Sequence, residues 1–405
     1  VEVEQQANLA GSPPSELGQK RALFTMRVMY FLYFGALGGY WTYLNVYYKE
    51  IGLSGTQIGL VNTLSPLVSI FAATMWGLIN DKLGRPRVVL RIALPGVVLA
   101  CFALSLSRDF YLLILFSCLM SFFISAIIPL LDNTTLRLLG EHSDRYGQYR
   151  VSGSIGFILV SLVSGYVYEM TGLHAIFYTY MIAMALLLAA ANFLPDEPVH
   201  ISGSVWSGLS AMMRQAPWVI FALSALLMWI SNNGAMNFIG ITVIELGGSE
   251  SLIGVVWMAS SLIEIPVMLT SARLLRRFGA TRLIIMSLSV FTLRGALLAM
   301  MPAPEWAPWI SSLGGLSFSL YWIASVKYAN ESAPEHLKST AQSLLFSIMN
   351  LAGMVGSLNS GWLYDNMGFR GLFWVTALVA GAGLLLFLVG RFVLRQKPIS
   401  PSSAE

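Results

Sequence analysis

Asp132, Arg150, Glu264 and Arg294 each interrupt or border a long run of apolar residues. An ionised group at the centre of a membrane helix costs roughly 2.5–3.5 kcal/mol on insertion scales, so such groups line a cavity and take partners. Asp132 and Arg150 each stand nine residues from Glu141, and Glu264 and Arg294 each stand 15 residues from Gly279. Consecutive spans form antiparallel hairpins, so residues equally far from a turn lie at similar depth. Each half of the chain therefore offers one acid–base pair at matched height. The two arginines present fixed forks of donors suited to hydroxyls or to a carboxylate. Glu264, with Arg294 beside it, is the first candidate for a proton carrier, because solute contact with Arg294 changes the balance that sets its protonation. Asp132 is the second. The same pairs would also serve to neutralise each other and staple neighbouring helices.

Uncharged groups extend this set. The first apolar run carries Tyr30, Tyr33, Tyr40, Trp41, Tyr43, Tyr47 and Tyr48 around Gly35, Gly38 and Gly39. Tyr33 and Tyr40 are assigned to a solute cavity, and the other aromatic residues to packing and an interfacial belt. The glycines permit close helix approach. Asn232, Asn233 and Asn237, Tyr321 and Trp322, and Asn350 supply hydrogen bonds and stacking surfaces, with Asn232 and Asn350 read as cavity lining. Lys327 snorkels to the interface. Asp81, followed by Arg85 and Arg87, reads as a gate: a carboxylate there meets a helix N-terminus or an arginine of the other half in one state and releases it in another. A plain topogenic charge cluster is the alternative.

The elements that position these residues follow from composition. Of 405 residues, 56% are hydrophobic and 11% charged, against about 25% charged in soluble domains. Mean hydropathy is +0.69. Apolar runs long enough to cross a hydrocarbon core, which needs about 20 helical residues, recur twelve times. They cover Leu23–Tyr47, Gln57–Ile79, Val88–Leu106, Tyr111–Leu131, Gln148–Tyr168, Ala175–Leu194, Pro217–Ile244, Leu252–Thr270, Thr281–Met301, Trp306–Tyr328, Leu337–Leu358 and Gly371–Leu394. No dyad alternation of an outer-membrane barrel is present.

With both ends inside, fifteen basic residues, among them Lys82, Arg85, Arg137, Arg145, Arg214, Arg276 and Arg391, face the cytoplasm, and Lys49, Arg108 and Arg370 face outward. The positive-inside rule is satisfied, and the net charge of +4 is topological rather than a sign of nucleic-acid binding. Cys101 and Cys118 read as buried thiols, with neither a disulfide nor a metal assigned.

A repeat organises the chain. Gly52–Val61 reappears as Gly247–Val256, a shift of 195 residues that also carries Gly84 to Gly279 and Arg87 to Arg282. Gly165–Gly172 matches Gly361–Gly368 at a shift of 196. Three loops in one register favour duplication, and an even number of spans per half gives parallel repeats about an axis along the membrane normal. The expected organisation is an N-terminal arm over 1–20, six-helix bundles over 21–194 and 217–395, a cytoplasmic linker over 195–216, and a tail over 396–405. Val205–Met213 is either a short surface helix or a tether, and both tails are expected to be disordered.

Gly77-Leu78-Ile79-Asn80-Asp81-Lys82-Leu83-Gly84-Arg85 resembles the G-x-x-x-D-[KR]-x-G-[RK] signature of the major facilitator superfamily. The resemblance covers residues 20 to 395. It implies twelve transmembrane helices in two pseudo-symmetric six-helix bundles. The chain looks closest to the branch holding lactose permease, the oligosaccharide–proton symporters and the phenylpropionate permeases. By that resemblance Asp132 and Arg150 stand where the branch places sugar-binding groups, with Gly147 and Gly153 flanking Arg150. Phe157 takes the place of a Trp on which a galactosyl ring stacks. Arg294 matches a ninth-span arginine, and Glu264 is similar to an eighth-span carboxylate. Gly314 and Ser317 fall where lactose permease has a histidine and its proton-carrying glutamate, and Asn232 and Asn350 near an aspartate and a lysine. That permease's proton route is therefore not carried over.

No Walker-type loop, metal cluster or nucleophile elbow is present, so neither ATP-driven transport nor enzymology is supported and no cofactor is expected. The expectation is a monomeric inner-membrane secondary transporter, both termini cytoplasmic, moving a small polar organic solute by alternating access with protons. Proton-independent uniport or lipid flipping is the alternative within the fold. A non-transporting receptor or assembly factor is the alternative outside it.

Overall fold

The structure is a computed structural model that describes residues 16–83, 85–194, 215–333 and 338–394. The expected linker apart from residues 215–216, residues 1–15 of the expected arm and the whole expected tail lie outside these residues; residues 16–20 of the arm, expected to be disordered, instead begin the first helix. Among the described residues the regular elements are helices: α1 (Glu16–Glu50), α2 (Gly55–Leu83), α3 (Pro86–Leu106), α4 (Phe110–Ile124), α5 (Ile127–Leu139), α6 (Tyr146–Thr171), α7 (Ala175–Ala191), α8 (Ala216–Glu245), α9 (Glu250–Leu269), α10 (Ser271–Ala299), α11 (Ala307–Ser332) and α12 (Lys338–Leu394). Short 3-10 turns occupy Gly140–Arg145 and Pro304–Trp306. Nine helical stretches among the described residues are long and apolar enough to cross a membrane, α4 and α5 counting as one, and α7 is a shorter apolar helix. α11 is not among the nine, its apolar character diluted by Ser311, Ser312, Gly314, Gly315, Ser317 and Ser319.

The helices do not match the twelve expected spans one for one: Tyr111–Leu131 is divided between α4 and α5. The last two expected spans run together in the 57 residues of α12, broken at Gly368, where φ is +65°. Only a residue without a Cβ takes that conformation cheaply. The repeat explains the position: Gly172 and Gly368, a repeat pair, both have positive φ, as do Gly52 and Gly247. The duplicated glycines thus mark duplicated turns.

The shift also relates contacts between distant helices. Gly361 of α12 lies against Gly55 and Thr56 of α2, and Gly59 lies against the backbone of Ser357. At the other edge Gly165 of α6 lies against Glu250 and Ser251 of α9, and Gly254 against Ser161. Each residue of the second set is the repeat counterpart of one in the first, with α2 exchanged for α9 and α12 for α6. A Cβ on any of these glycines meets backbone, so the close approach depends on their absent side chains.

Apolar burial divides unevenly. One cluster joins the first-half helices to the Gly55-end portions of α8, α9, α10, α11 and α12, including Phe238, Val243, Ile253, Leu298 and Phe373. A second holds only second-half residues, among them Trp218, Phe221, Leu283, Tyr328 and Phe387, which lie toward the Arg85 end. The halves are therefore fused at the end bearing Gly55 and separate in their packing at the other.

Candidate functional site

A cavity of about 380 Å³ lies between the halves. Its walls are stripes at helical spacing. α9 contributes Trp257, Ser260, Ser261, Glu264 and Met268, and α6 contributes Arg150, Ser154, Phe157 and Ile158. These recur every three or four residues because one helix face turns inward. α11 adds Ser311, Gly314 and Phe318, while Phe34, Asn232 and Arg294 enter from α1, α8 and α10.

Arg294 is 6% exposed. Its guanidinium lies on Gly314, where a Cβ would stand 2.9 Å from Cζ and Nε. Nη1 donates to Asn232 Oδ1 across a long 3.4 Å, and Nε has no partner. Arg150 sits over the Phe34 ring, 3.8 Å from its centroid, and 5.6 Å from that of Tyr30. The expected acid–base pairs do not close. Among the described residues the ion pair within 4.0 Å is Lys327–Glu331, at 3.2 Å. Asp132 is held instead by Tyr30, whose hydroxyl donates to Oδ1 at 2.7 Å, and it stands outside the cavity wall.

The sequence-assigned residues thus separate. Arg150, Phe157, Asn232, Glu264 and Arg294 come together on the cavity. Tyr33 and Tyr40 are buried in aromatic packing, Tyr33 edge-on to Phe34 at 5.0 Å and Tyr40 at 4.5 Å from Tyr180. Tyr321 is buried beside Trp229, and Trp322 stacks behind the wall residue Phe318 at 5.9 Å. Asn350 is exposed away from the cavity. Arg85 is exposed at the start of α3, and the side chain of Asp81 lies outside the described residues.

Apart from Asn237, sequence reasoning missed the side chains that join the halves toward the Gly55 end. Thr63 Oγ1 donates to Met354 O at 3.0 Å. A relay then runs from Asn62 Nδ2 to Asn45 Oδ1 at 3.0 Å, from Asn45 Nδ2 to Asn237 O at 3.0 Å, and from Asn237 Nδ2 to Ser357 Oγ at 2.9 Å. Beyond it Asp365, on the second half, caps α2 of the first. Oδ1 accepts from Gly55 N at 2.6 Å, and Oδ2 accepts from Thr56 N at 2.7 Å and Thr56 Oγ1 at 2.6 Å. Ser54 and Gln57 form a capping box, so the first N–H groups of α2 are met from two sides. Lys49 lies over the Tyr364 ring, and Tyr364 donates to Glu245 at 3.0 Å. Partial burial pushes the Asp365 carboxyl up. The bonds from Thr56 and Gly55, with Lys49 nearby, outweigh this and hold it below the usual carboxylate range.

Comparison with known proteins places the chain. It is 30% identical to the maltose permease of Geobacillus stearothermophilus, over 90% of this chain and 94% of that one. It is 25% identical to a probable 3-phenylpropionic acid transporter of Escherichia coli (strain K12), over 88% and 95%. The fold superposes on the crystal structure of the nucleoside transporter NupG with a TM-score of 0.80, at 18% identity, covering 93% of this chain and 100% of that one. The model of the MFS_1 like family matches residues 23–375, so the chain belongs to that family of the major facilitator superfamily and is a membrane transporter rather than an enzyme.

Proposed function

We propose that the protein moves a small polar organic solute, sugar-like or an organic acid, by alternating access with proton symport. The supporting observation is the cavity between the halves, with Glu264 and two guanidinium groups in its walls, while the asparagine relay and the Asp365 cap join the halves toward the Gly55 end. Maltose permease and the 3-phenylpropionic acid transporter stand as relatives on the sugar and acid sides of that description. Twelve crossings result when α12 is counted as two spans meeting at Gly368. The boundaries are then 21–194 and 217–395, with both termini cytoplasmic in the inner membrane. In this orientation the Gly55 end faces outward, and the fused packing there makes this a form closed to the outside.

Solute binding and protonation meet at Glu264 and Arg294. Glu264 lines the cavity without a cation within 4.0 Å among the described residues, so a proton on it costs no existing ion pair. Asp132, tied to Tyr30, is the second carrier. Uptake into proteoliposomes is expected to follow an imposed pH gradient and to lose that coupling in Glu264→Gln, with a smaller loss in Asp132→Asn. Uptake indifferent to the gradient in wild type, and unchanged in both variants, rejects proton coupling. Gly314 and Ser317, which bear no titratable group on α11, favour proton-independent uniport as the second reading.

A further inference from the structure

Resting on the transport reading above, we infer that the cavity selects organic anions: carboxylate-bearing solutes with an apolar body, held by Arg294 and Arg150, in preference to neutral polyols of the same size. Arg294 is a buried guanidinium with five N–H donors, one of them engaged across 3.4 Å. A cation removed from water is held at a substantial cost unless an anion meets it. Among the described residues no carboxylate comes within 4.0 Å of it. The seat is built: Gly314 leaves room for the flat guanidinium, and Nε is buried without a partner.

The second guanidinium has the same character. Arg150 is engaged through its face by Phe34, which leaves its edge donors free for a carboxylate in the plane. Gly153 beside it again lacks a side chain, and a Cβ there would stand 3.2 Å from Nη1. Asp132, the acid the sequence pairs with Arg150, is withdrawn to Tyr30. The lining thus carries two guanidinium groups against the single carboxylate of Glu264. When Glu264 takes a proton, the imbalance doubles.

Donor and acceptor supply points the same way. Two arginines make the cavity rich in donors, whereas its side-chain acceptors are Glu264, Asn232 Oδ1 and a few serine hydroxyls. A sugar brings a donor with every hydroxyl and leaves many unmet, at a cost for each. A carboxylate brings acceptors alone. Phe157, Trp257 and Phe318 then offer the remaining wall to an apolar body.

The test is binding to the full chain in nanodiscs with matched probes: 3-phenylpropionate against its amide and alcohol, and maltobionate against maltose. The acid of each set is expected to bind at least about tenfold more tightly than its neutral partners, the worth of charge-assisted bonds. Arg294→Gln, or Arg150→Gln where the first variant is unstable, is expected to erase that margin. The inference is overturned if neutral members bind as well as the acids, if no acid binds, or if the margin survives both substitutions. Proton-coupled uptake of maltose at an affinity equal to maltobionate's leaves the transport reading standing and removes this one. A folded chain that moves none of the probes removes the transport reading.

Discussion

Gly314 is the residue at which the site is most exposed to a small change. A methyl group there would stand 2.9 Å from Cζ and Nε of Arg294, whose guanidinium is enclosed and has nowhere to retreat without leaving its seat. Overpacking of this kind costs about 1–3 kcal/mol. Gly314→Ala is therefore expected to lower the melting temperature and, by displacing Arg294, to weaken solute binding by about ten- to a hundredfold, read from a binding titration beside a thermal melt. At this scale the sequence was legible where chemistry conflicts with solvent. Arg150, Glu264 and Arg294 stand out in apolar surroundings, and all three reach the cavity. Trp257 and Ser260 carry no such conflict, and only the helical spacing from Glu264 links them to the wall. Tyr33 and Tyr40 share a face at a spacing of seven, but that face packs against Phe34 and Tyr180, because a tyrosine stripe satisfies a core as readily as a cavity.

Among the elements, α2 and α12 matter through one joint, the Asp365 carboxylate on the N-terminus of α2. Capping groups contribute about 1 kcal/mol, and the dipole of α2 adds to the attraction. Asp365→Asn is expected to open the Gly55 end more often. In a background lacking Cys101 and Cys118, a cysteine placed at Asn62 should then react about fivefold faster with an external thiol reagent. The pH dependence has a definite sign. The capped carboxyl holds its proton less readily than a free one, so the latched form is favoured above the ordinary carboxylate range. That advantage is lost as pH falls through the depressed value. Acidification should therefore mimic Asp365→Asn, and the substituted protein should no longer respond in that range; an unchanged response would assign the effect to another group. None of this joint was legible in advance. Asp365 reads as one polar residue of a repeated loop, and its partners lie 309 and 310 residues away.

For the molecule as a whole, solute class and coupling together fix the charge moved per cycle. One monoanion accompanied by one proton carries none across the membrane. Uptake of an acid probe is expected to respond to a pH gradient and to ignore an electrical potential imposed with valinomycin and potassium; potential-driven uptake would contradict the pairing of one anion with one proton. The helical class, the membrane setting and the duplication were legible at this scale because hydropathy and glycine-marked turns are written locally. The match of helices to spans was less so, since two spans meet at the non-helical Gly368 within α12 and the fourth expected span is divided between α4 and α5.

The two glycine seams match in packing but not in fastening. Glu169, the repeat counterpart of Asp365, is exposed and its carboxylate makes no hydrogen bond among the described residues, and α9 is capped by its own Ser249. One edge of the closed end is bolted across the halves, and the other merely rests in contact. Parting should therefore be lopsided, with the α6–α9 edge yielding before the bolt is drawn, so that the first aperture a solute meets lies off the molecular axis.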